Sequence, residues 1–195
     1  MEQVETIVIG AGVVGLAVAR ELALAGQEVF VLERYDAIGT ETSSRNSEVV
    51  HAGIYYPEDW LKTKLCIEGR RRLYAYCDER GVPCRKLGKV IVACSDDEAA
   101  ILDRTLAQAE RNGVESMERL DKRQVAAMEP AVSATAGLFS PETGVVDSHQ
   151  LMLSLQGDLE NAGGMVSLMS PFRSAESAGS GFAVTIGGDD DYVLG

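Results

Sequence analysis

The chain has 195 residues, 46% of them hydrophobic and 25% charged, with 20 glycines, 5 prolines and a formal net charge of −12. That apolar share excludes a disordered chain, glycine is too sparse for a collagen repeat, and the length allows one domain or one and a half at about 100–200 residues each. Asp and Glu outnumber Lys and Arg 30 to 18, which argues against a nucleic-acid partner and against a basic membrane anchor, since both draw on surplus cations.

No apolar run approaches the roughly 20 residues of a spanning helix, and no basic region precedes a cleavable apolar segment, so the expected compartment is the cytoplasm. Cys66, Cys77, Cys84 and Cys94 are too few and too unevenly spaced for a disulfide framework or a C-x-x-C site. They are expected as reduced, mostly packed thiols, and no metal-ligand spacing occurs.

Val4 to Ile9 is a short β-branched run suited to a buried parallel strand, leading into Gly10-Ala-Gly12-Val-Val-Gly15. Val13 to Ala25 reads as a helix ending at Gly26, and Val29 to Leu32 as a second strand closed by Glu33, which completes a βαβ unit. From Arg34 to Tyr56 the chain is polar and has no helical or strand period; a connection of that length usually carries function. Pro57-Glu58-Asp59 is expected to open a helix running to about Arg80 and stopping at Gly81, with Leu61, Leu65, Leu73 and Cys77 along one face. Lys89 to Cys94 reads as a strand, and Ser95 with Glu98 as a capping box for a helix to Asn112-Gly113. Asp121 with Gln124 starts a shorter helix that must end before Pro130. Leu138 to Pro141 and Gly144 to Val146 look like a strand and turn. Asp147 or Ser148 caps a helix through Leu151, Leu155 and Leu159 to Gly163-Gly164. Phe182 to Ile186 is a further strand, followed by Gly187-Gly188 and an acidic turn at Asp189-Asp190-Asp191.

The glycine spacing alone is a weak signal. Here it follows a strand, opens a helix and is answered by Glu33 at the end of the next strand, so several requirements of a dinucleotide site are met together. Gly10 permits the tight turn, Gly12 lets the backbone approach a pyrophosphate, and Gly15 lets the helix lie close to the sheet. The N-terminus of the helix, at Val13 and Val14, presents amide groups and positive dipole to phosphates. The Glu33 carboxylate can accept from both ribose hydroxyls and would repel a 2′-phosphate, which argues against NADP. NAD and FAD share this fingerprint, and the glycines do not choose between them.

The stretch Thr42-Ser43-Ser44-Arg45-Asn46-Ser47-Glu48-Val49-Val50-His51-Ala52-Gly53-Ile54-Tyr55-Tyr56-Pro57, with Lys64-Leu65-Cys66, Gly88 to Ala93, Glu129-Pro130 and Gly144 to Asp147, resembles the FAD-dependent oxidoreductases of the D-amino-acid oxidase and glycine oxidase group. Within that group it is most similar to L-2-hydroxyglutarate dehydrogenases and oxidases. The resemblance implies an α/β chain: a Rossmann-like FAD-binding βαβ domain with parts of an interleaved α+β substrate domain. The expected division is a cofactor-binding segment over 1–85, a substrate-domain segment over 86–145, and a return to the cofactor domain over 146–195. It also implies that FAD is held by Gly10, Gly12, Val13, Val14, Gly15, Glu33 and Arg34. Thr42, Ser43, Ser44 and Asn46 would lie along its pyrophosphate and ribityl chain, and His51, Ala52, Gly53 and Ile54 would pass the flavin ring. Val114 or a neighbour is a candidate for backbone contact to the adenine. Members of the group are nearly twice as long, so the resemblance implies an N-terminal portion of a longer flavoprotein that alone binds FAD weakly and does not turn over. Tyr192 to Gly195 reads as the entrance to the strand that would complete the cofactor fold.

The implied reaction removes the hydroxyl proton of a small 2-hydroxy acid while its α-hydrogen leaves as hydride, giving the 2-oxo acid. His51 is the candidate catalytic base, because an unperturbed imidazole titrates near pH 6.5. A non-covalent flavin contact or a covalent tether through His51 are the competing roles. Tyr55 and Tyr56 can reach a substrate or simply pack. Arg70-Arg71-Arg72 diverge by about 100° each on a helix, so at most one faces a site and a solvated face is the usual outcome. His149 is expected to be structural. The partners expected are a small-molecule substrate and an oxygen or quinone electron acceptor, with no nucleic acid and no membrane span. An amino-acid or amine oxidase, or a cofactor-binding module without turnover, are the alternatives.

Overall fold

The computed structural model describes residues 3–187 and 192–194. In chain order the elements are β1 (Thr6–Ile9), α1 (Val13–Leu24), β2 (Val29–Leu32), a 3-10 turn (Thr42–Ser44), β3 (Val49–Val50), α2 (Leu61–Arg80), β4 (Cys84–Arg85), β5 (Lys89–Ala93), α3 (Asp96–Arg111), β6 (Glu118–Asp121), α4 (Lys122–Met128), β7 (Ala136–Ser140), β8 (Gly144–Val146), α5 (Ser148–Asn161), β9 (Met165–Ser167), β10 (Phe172–Ala178), β11 (Gly181–Ile186) and β12 (Tyr192–Leu194). They fall into two compact units, one made of residues 1–47 and 148–195, the other of 48–147. The first boundary therefore lies at Ser47, well before residue 85, and α2 belongs to the continuous unit.

In the discontinuous unit, β1 pairs in parallel with β2, Thr6 opposite Val29 through Ile9 opposite Leu32. β9 adds a third parallel strand, with Phe30 opposite Met165. The β-branched runs are suited to this sheet, where Val29, Val31 and Leu32 are buried. α1 packs through Leu16, Ala19 and Ala23, and α5 through Leu151, Met152, Leu155 and Leu159. Arg20 Nε donates to Asp158 Oδ2 at 2.7 Å, joining the two helices by an ion pair. β10, β11 and β12 form an antiparallel sheet. Tyr192–Leu194 is thus a strand of that antiparallel sheet and does not join the parallel one. The expected acidic turn at 189–191 lies outside the described residues.

In the continuous unit, β8 runs antiparallel between β3 and β4, and β7 runs antiparallel between β5 and β6. α3 covers the second sheet with Leu102 against Ala93 and Leu138. Its cap is Ser95, which accepts from Glu98 N at 3.3 Å, while the Glu98 carboxylate accepts from Cys94 N. α4 has both halves of its capping box: Gln124 N donates to Asp121 Oδ1 and Asp121 N to Gln124 Oε1, each at 2.8 Å.

α2 starts at Leu61, later than expected, because Pro57 to Trp60 form a turn in which Trp60 N and the Thr63 hydroxyl both donate to Pro57 O. Its buried face is also different. Leu61 and Leu65 are exposed, and the buried stripe is Thr63, Ile67, Arg70 and Cys77. Polar residues carry that stripe because each has an internal partner: Thr63 donates to Pro57 O, and Arg70 donates to Glu115 at 2.8 Å. Gly81 ends the helix in the left-handed conformation, φ 68°. All four cysteines are free, but only Cys77 is buried; Cys66 and Cys84 are half-buried and Cys94 is exposed. Among the described residues no helix is long and apolar enough to cross a membrane, and no group of three or more His, Cys, Asp or Glu could hold a metal ion.

Candidate active site

The first candidate region is a cleft in the discontinuous unit at the C-terminal ends of β1 and β2, with a volume of about 570 Å³. That is within the range of small-molecule and cofactor pockets, and its location is where α/β sheets bind ligands. Its lining comes from the glycine turn, the end of β2, the Gly39–Ser43 loop, and Pro171 to Arg173.

Each glycine of the turn has a local reason. Gly10 takes φ +98°, a region that other residues rarely adopt. A Cβ on Gly15 would lie 2.0 Å from Gly10 O, so only glycine lets α1 sit this close to β1. A Cβ on Gly12 would lie 2.9 Å from Ser43 Oγ, which shows how closely the later loop folds over the helix start. The loop is held there by Gly39 N, which donates to Ala11 O at 3.0 Å. Gly12, as N-cap of α1, supplies no side-chain acceptor; the Ser43 hydroxyl does, accepting from Val13 N at 3.0 Å.

Glu33 is only 7% exposed. Its carboxylate accepts from Ala11 N at 2.8 Å and from Tyr35 N at 3.1 Å, which ties the glycine turn to the end of β2. Each carboxylate oxygen has a further lone pair, so the group can still accept from a ribose. Thr40, in the lining, has a buried Oγ1 with no hydrogen-bond partner. An orphaned hydroxyl beside a cleft fits a polar ligand group there. Together these residues fit the adenosine and pyrophosphate portion of a dinucleotide cofactor.

Of the expected cofactor residues, Gly10, Gly12, Glu33, Arg34, Thr42 and Ser43 line the cleft. Val13 and Gly15 do not line it: Val13 N donates to Ser43 Oγ, Gly15 packs against Gly10 O, and Val14 is exposed at the helix start. Ser44 and Asn46 instead brace the loop: the Ser44 hydroxyl donates to Thr40 O and Glu41 O, and Asn46 Nδ2 donates to Ser43 O at 2.7 Å. Arg34 stacks on Tyr35 and pairs with Glu41 at 3.4 Å. The Tyr35 hydroxyl also donates to Glu41, which holds the Glu41 carboxyl below and the Tyr35 phenol above their ordinary ranges. Arg173, from β10, was not foreseen at the cleft; the only local sign was a single cation in a polar segment.

The second region lies in the continuous unit around His51. Ala52 and Ile54, each 2% exposed, point into a core with Ile67, Ala109 and Val114. Gly53 between them takes φ +89°, and a Cβ there would lie 2.8 Å from Ile67 Cγ1, so packing alone requires this glycine. Val114 is in the same core with its N–H donated to Ala109 O, which leaves it no free backbone donor for an adenine. Asn112 Nδ2 donates to Gly53 O and Tyr56 O at 2.9 Å each, and Cys66 Sγ donates to His51 O at 3.3 Å. The sequence marked Asn112 only as a helix end, yet it pins the whole His51 segment.

His51 itself is exposed. Partial burial, then the positive charges of Lys89 and Lys62, push its imidazole below the usual 6.5, which disfavours the imidazolium. Of the arginine run, Arg70 is buried, with a side chain 1% exposed, and Arg71 and Arg72 face solvent. His149 is exposed on α5 and belongs to neither region.

Residues 5–194 match the family model described as DAO, FAD dependent oxidoreductase. The chain is 51% identical over 154 residues, or 79% of its length, to the mitochondrial L-2-hydroxyglutarate dehydrogenase of Arabidopsis thaliana, covering 32% of that protein. It is 37% identical over 183 residues, 91% of the chain, to the same-named protein of Nematostella vectensis, covering 40% of it. The chain thus spans less than half the length of these relatives. The reduced, FAD-bound L-alpha-glycerophosphate oxidase of Mycoplasma pneumoniae superposes with a TM-score of 0.88 at 25% identity over 95% of this chain and 50% of that one. Glycine oxidase of Geobacillus kaustophilus gives 0.87 at 21% identity, over 100% and 54%, and so shares the fold. The mitochondrial relatives overturn the cytoplasmic expectation. It rested on the lack of an apolar leader, which speaks only to secretion; organelle import uses amphipathic, Arg- and Ser-rich segments instead.

Proposed function

The chain belongs to the DAO family of FAD-dependent oxidoreductases, and from that premise we propose that it carries the cofactor-binding part of an enzyme that oxidises L-2-hydroxyglutarate, or a close 2-hydroxy acid, to the 2-oxo acid. The observation that carries the substrate reading is the 51% identity to the Arabidopsis dehydrogenase over 79% of the chain. FAD, when bound, supplies an acceptor for the hydride that leaves the substrate carbon.

The chain's own residues would do the rest. Glu33, which already holds Ala11 N, would accept hydrogen bonds from the adenosine ribose, the start of α1 would hold the pyrophosphate, and the orphaned Thr40 hydroxyl would gain a partner. Neutral His51 takes the substrate hydroxyl proton on its free imidazole nitrogen, at a position fixed by Asn112 and Cys66. Oxygen or a quinone then takes the electrons. An amino-acid or amine oxidase is the second reading, favoured by the shared fold of glycine oxidase.

The test is anaerobic mixing of the FAD-loaded protein with L-2-hydroxyglutarate, glycine and sarcosine in turn. Loss of flavin colour with the hydroxy acid and with neither amine is expected where the chain is joined to the rest of the longer flavoprotein that its resemblance implies, and weak FAD retention without turnover where it stands alone. Bleaching by either amine and not by the hydroxy acid would transfer the protein to the second reading.

A further inference from the structure

His51 shares its segment with two adjacent tyrosines, and a lysine from a different element covers each. Lys89 Nζ, at the start of β5, lies 4.7 Å from the Tyr55 ring centroid, and Lys62 Nζ, in the first turn of α2, lies 4.2 Å from that of Tyr56. Neither ammonium pairs with a carboxylate among the described residues, although the chain has 30 acidic side chains. Several other cations of the same unit are paired, Arg70 and Arg71 with Glu115, Lys86 with Glu142, and Arg119 with Asp103, while some, such as Lys64 and Arg104, have no such pair among the described residues; what sets Lys62 and Lys89 apart is that each is unpaired and seated on a ring of the His51 segment. The distinction matters physically. A carboxylate partner would cancel the charge, whereas an aromatic face positions an ammonium and leaves its charge available to an anion. Tyr56 is itself held, since its carbonyl accepts from Asn112 Nδ2 and Gln108 Nε2.

We propose that Lys62 and Lys89, positioned on Tyr56 and Tyr55, form an anion subsite beside His51 that receives the carboxylates of a dicarboxylic 2-hydroxy acid. Two uncancelled positive charges match a substrate with two negative ones, so the subsite selects 2-hydroxydicarboxylates over 2-hydroxymonocarboxylates. The inference rests on the reading of His51 as the base of a 2-hydroxy-acid oxidation. It adds a coupling: burial first, and then the charges of Lys89 and Lys62, lower the basicity of His51. A bound dianion offsets that field and makes the imidazole a stronger base once substrate has arrived.

The test compares the FAD-loaded wild type with Lys62→Gln and Lys89→Gln in anaerobic flavin reduction, using L-2-hydroxyglutarate and L-2-hydroxybutyrate. Each substitution is expected to raise the apparent Kd for the dicarboxylate about tenfold, the size of one lost charge-assisted contact, and to leave that of the monocarboxylate within about twofold. Lys62→Arg and Lys89→Arg are expected to retain most of the affinity. Equal losses for both acids, or none for either, would overturn the subsite. Glutarate, which has no hydroxyl to oxidise, gives a second readout: it should raise the His51 titration midpoint by NMR in the wild type and not in the Gln variants. If no 2-hydroxy acid reduces the wild type, the functional reading fails, and the glutarate titration alone then decides the subsite.

Discussion

Ser43 Oγ accepts a hydrogen bond from Val13 N at 3.0 Å, so the residue that caps α1 comes from a loop two elements later, while the sequential N-cap, Gly12, offers none. The cap and the glycine are coupled, because a Cβ on Gly12 would stand 2.9 Å from that same hydroxyl. Ser43→Ala should cost about 1 kcal/mol, the usual value of a lost N-cap. Gly12→Ala should cost at least as much by displacing Ser43. The double variant should be no less stable than the worse single variant, since the clash and the cap vanish together. Chemical denaturation of the four proteins in a double-mutant cycle measures this, and strict additivity would contradict it.

Glu33 serves the fold through Ala11 N and Tyr35 N, and in the proposed function it serves the cofactor as well. Glu33→Gln turns one acceptor oxygen into a donor that faces a backbone N–H from Ala11 or Tyr35. Stability should fall by about 1–3 kcal/mol, the cost of an unsatisfied buried donor. FAD affinity, followed by quenching of flavin fluorescence, should fall about tenfold through the lost charge-assisted bonds to ribose. Unchanged affinity would remove Glu33 from the cofactor site.

With His51 as the proposed base, its lowered titration would set the acid limb of the proposed reaction. Burial and the charges of Lys89 and Lys62 disfavour the imidazolium, so the base form persists to a lower pH than a free histidine allows. Flavin reduction should therefore be constant through neutrality and fall only below about pH 6.5, the ordinary histidine value. His51→Gln should slow reduction by about 10²-fold or more without releasing the cofactor, in the range of a lost general base. Intact mass under denaturing conditions should match the bare polypeptide.

Acid stability of the continuous unit should depend on Glu115. Hydrogen bonds from Arg70 and Arg71 pull its carboxyl down to about 2 from an ordinary 4.5. Because the folded value is the lower one, this stabilisation is complete above about pH 4.5 and is lost as pH falls toward 2. Glu115→Gln should be less stable at pH 7 by on the order of 1–2 kcal/mol, a modest figure because Glu115 is half exposed, and its melting point should vary less across that acid range.

The parts of the fold that were legible are those whose signal is local. β2 runs from Val29 to Leu32 as its apolar run indicates, the Asp121 and Gln124 box starts α4, and Gly81 ends α2. α2 was misread because its buried face holds Thr63 and Arg70, whose partners lie far along the chain. β10 left no periodic trace because all seven of its residues are exposed, with no apolar side to alternate. The same holds for the sites. Gly10, Gly12, Gly15 and Glu33 form a short-range pattern with stated geometric needs. The bond from Asn112 to Gly53 O, the Ser43 cap and the lysine field on His51 join residues that only tertiary folding brings together.

The interrupted unit also sets an order of events during synthesis. The pairing of Phe30 with Met165 places β9 beside β2 only after the entire 48–147 segment has been made. Until then the newborn β1-α1-β2 unit carries an open parallel edge on β2. Closing so long a loop as free chain is entropically slow, and compaction of the intervening segment brings its ends nearer. Maturation of the cleft is thus timed by a segment that contributes no residue to its lining, and Pro171 to Arg173 reach it only after α5 and β9 have been made.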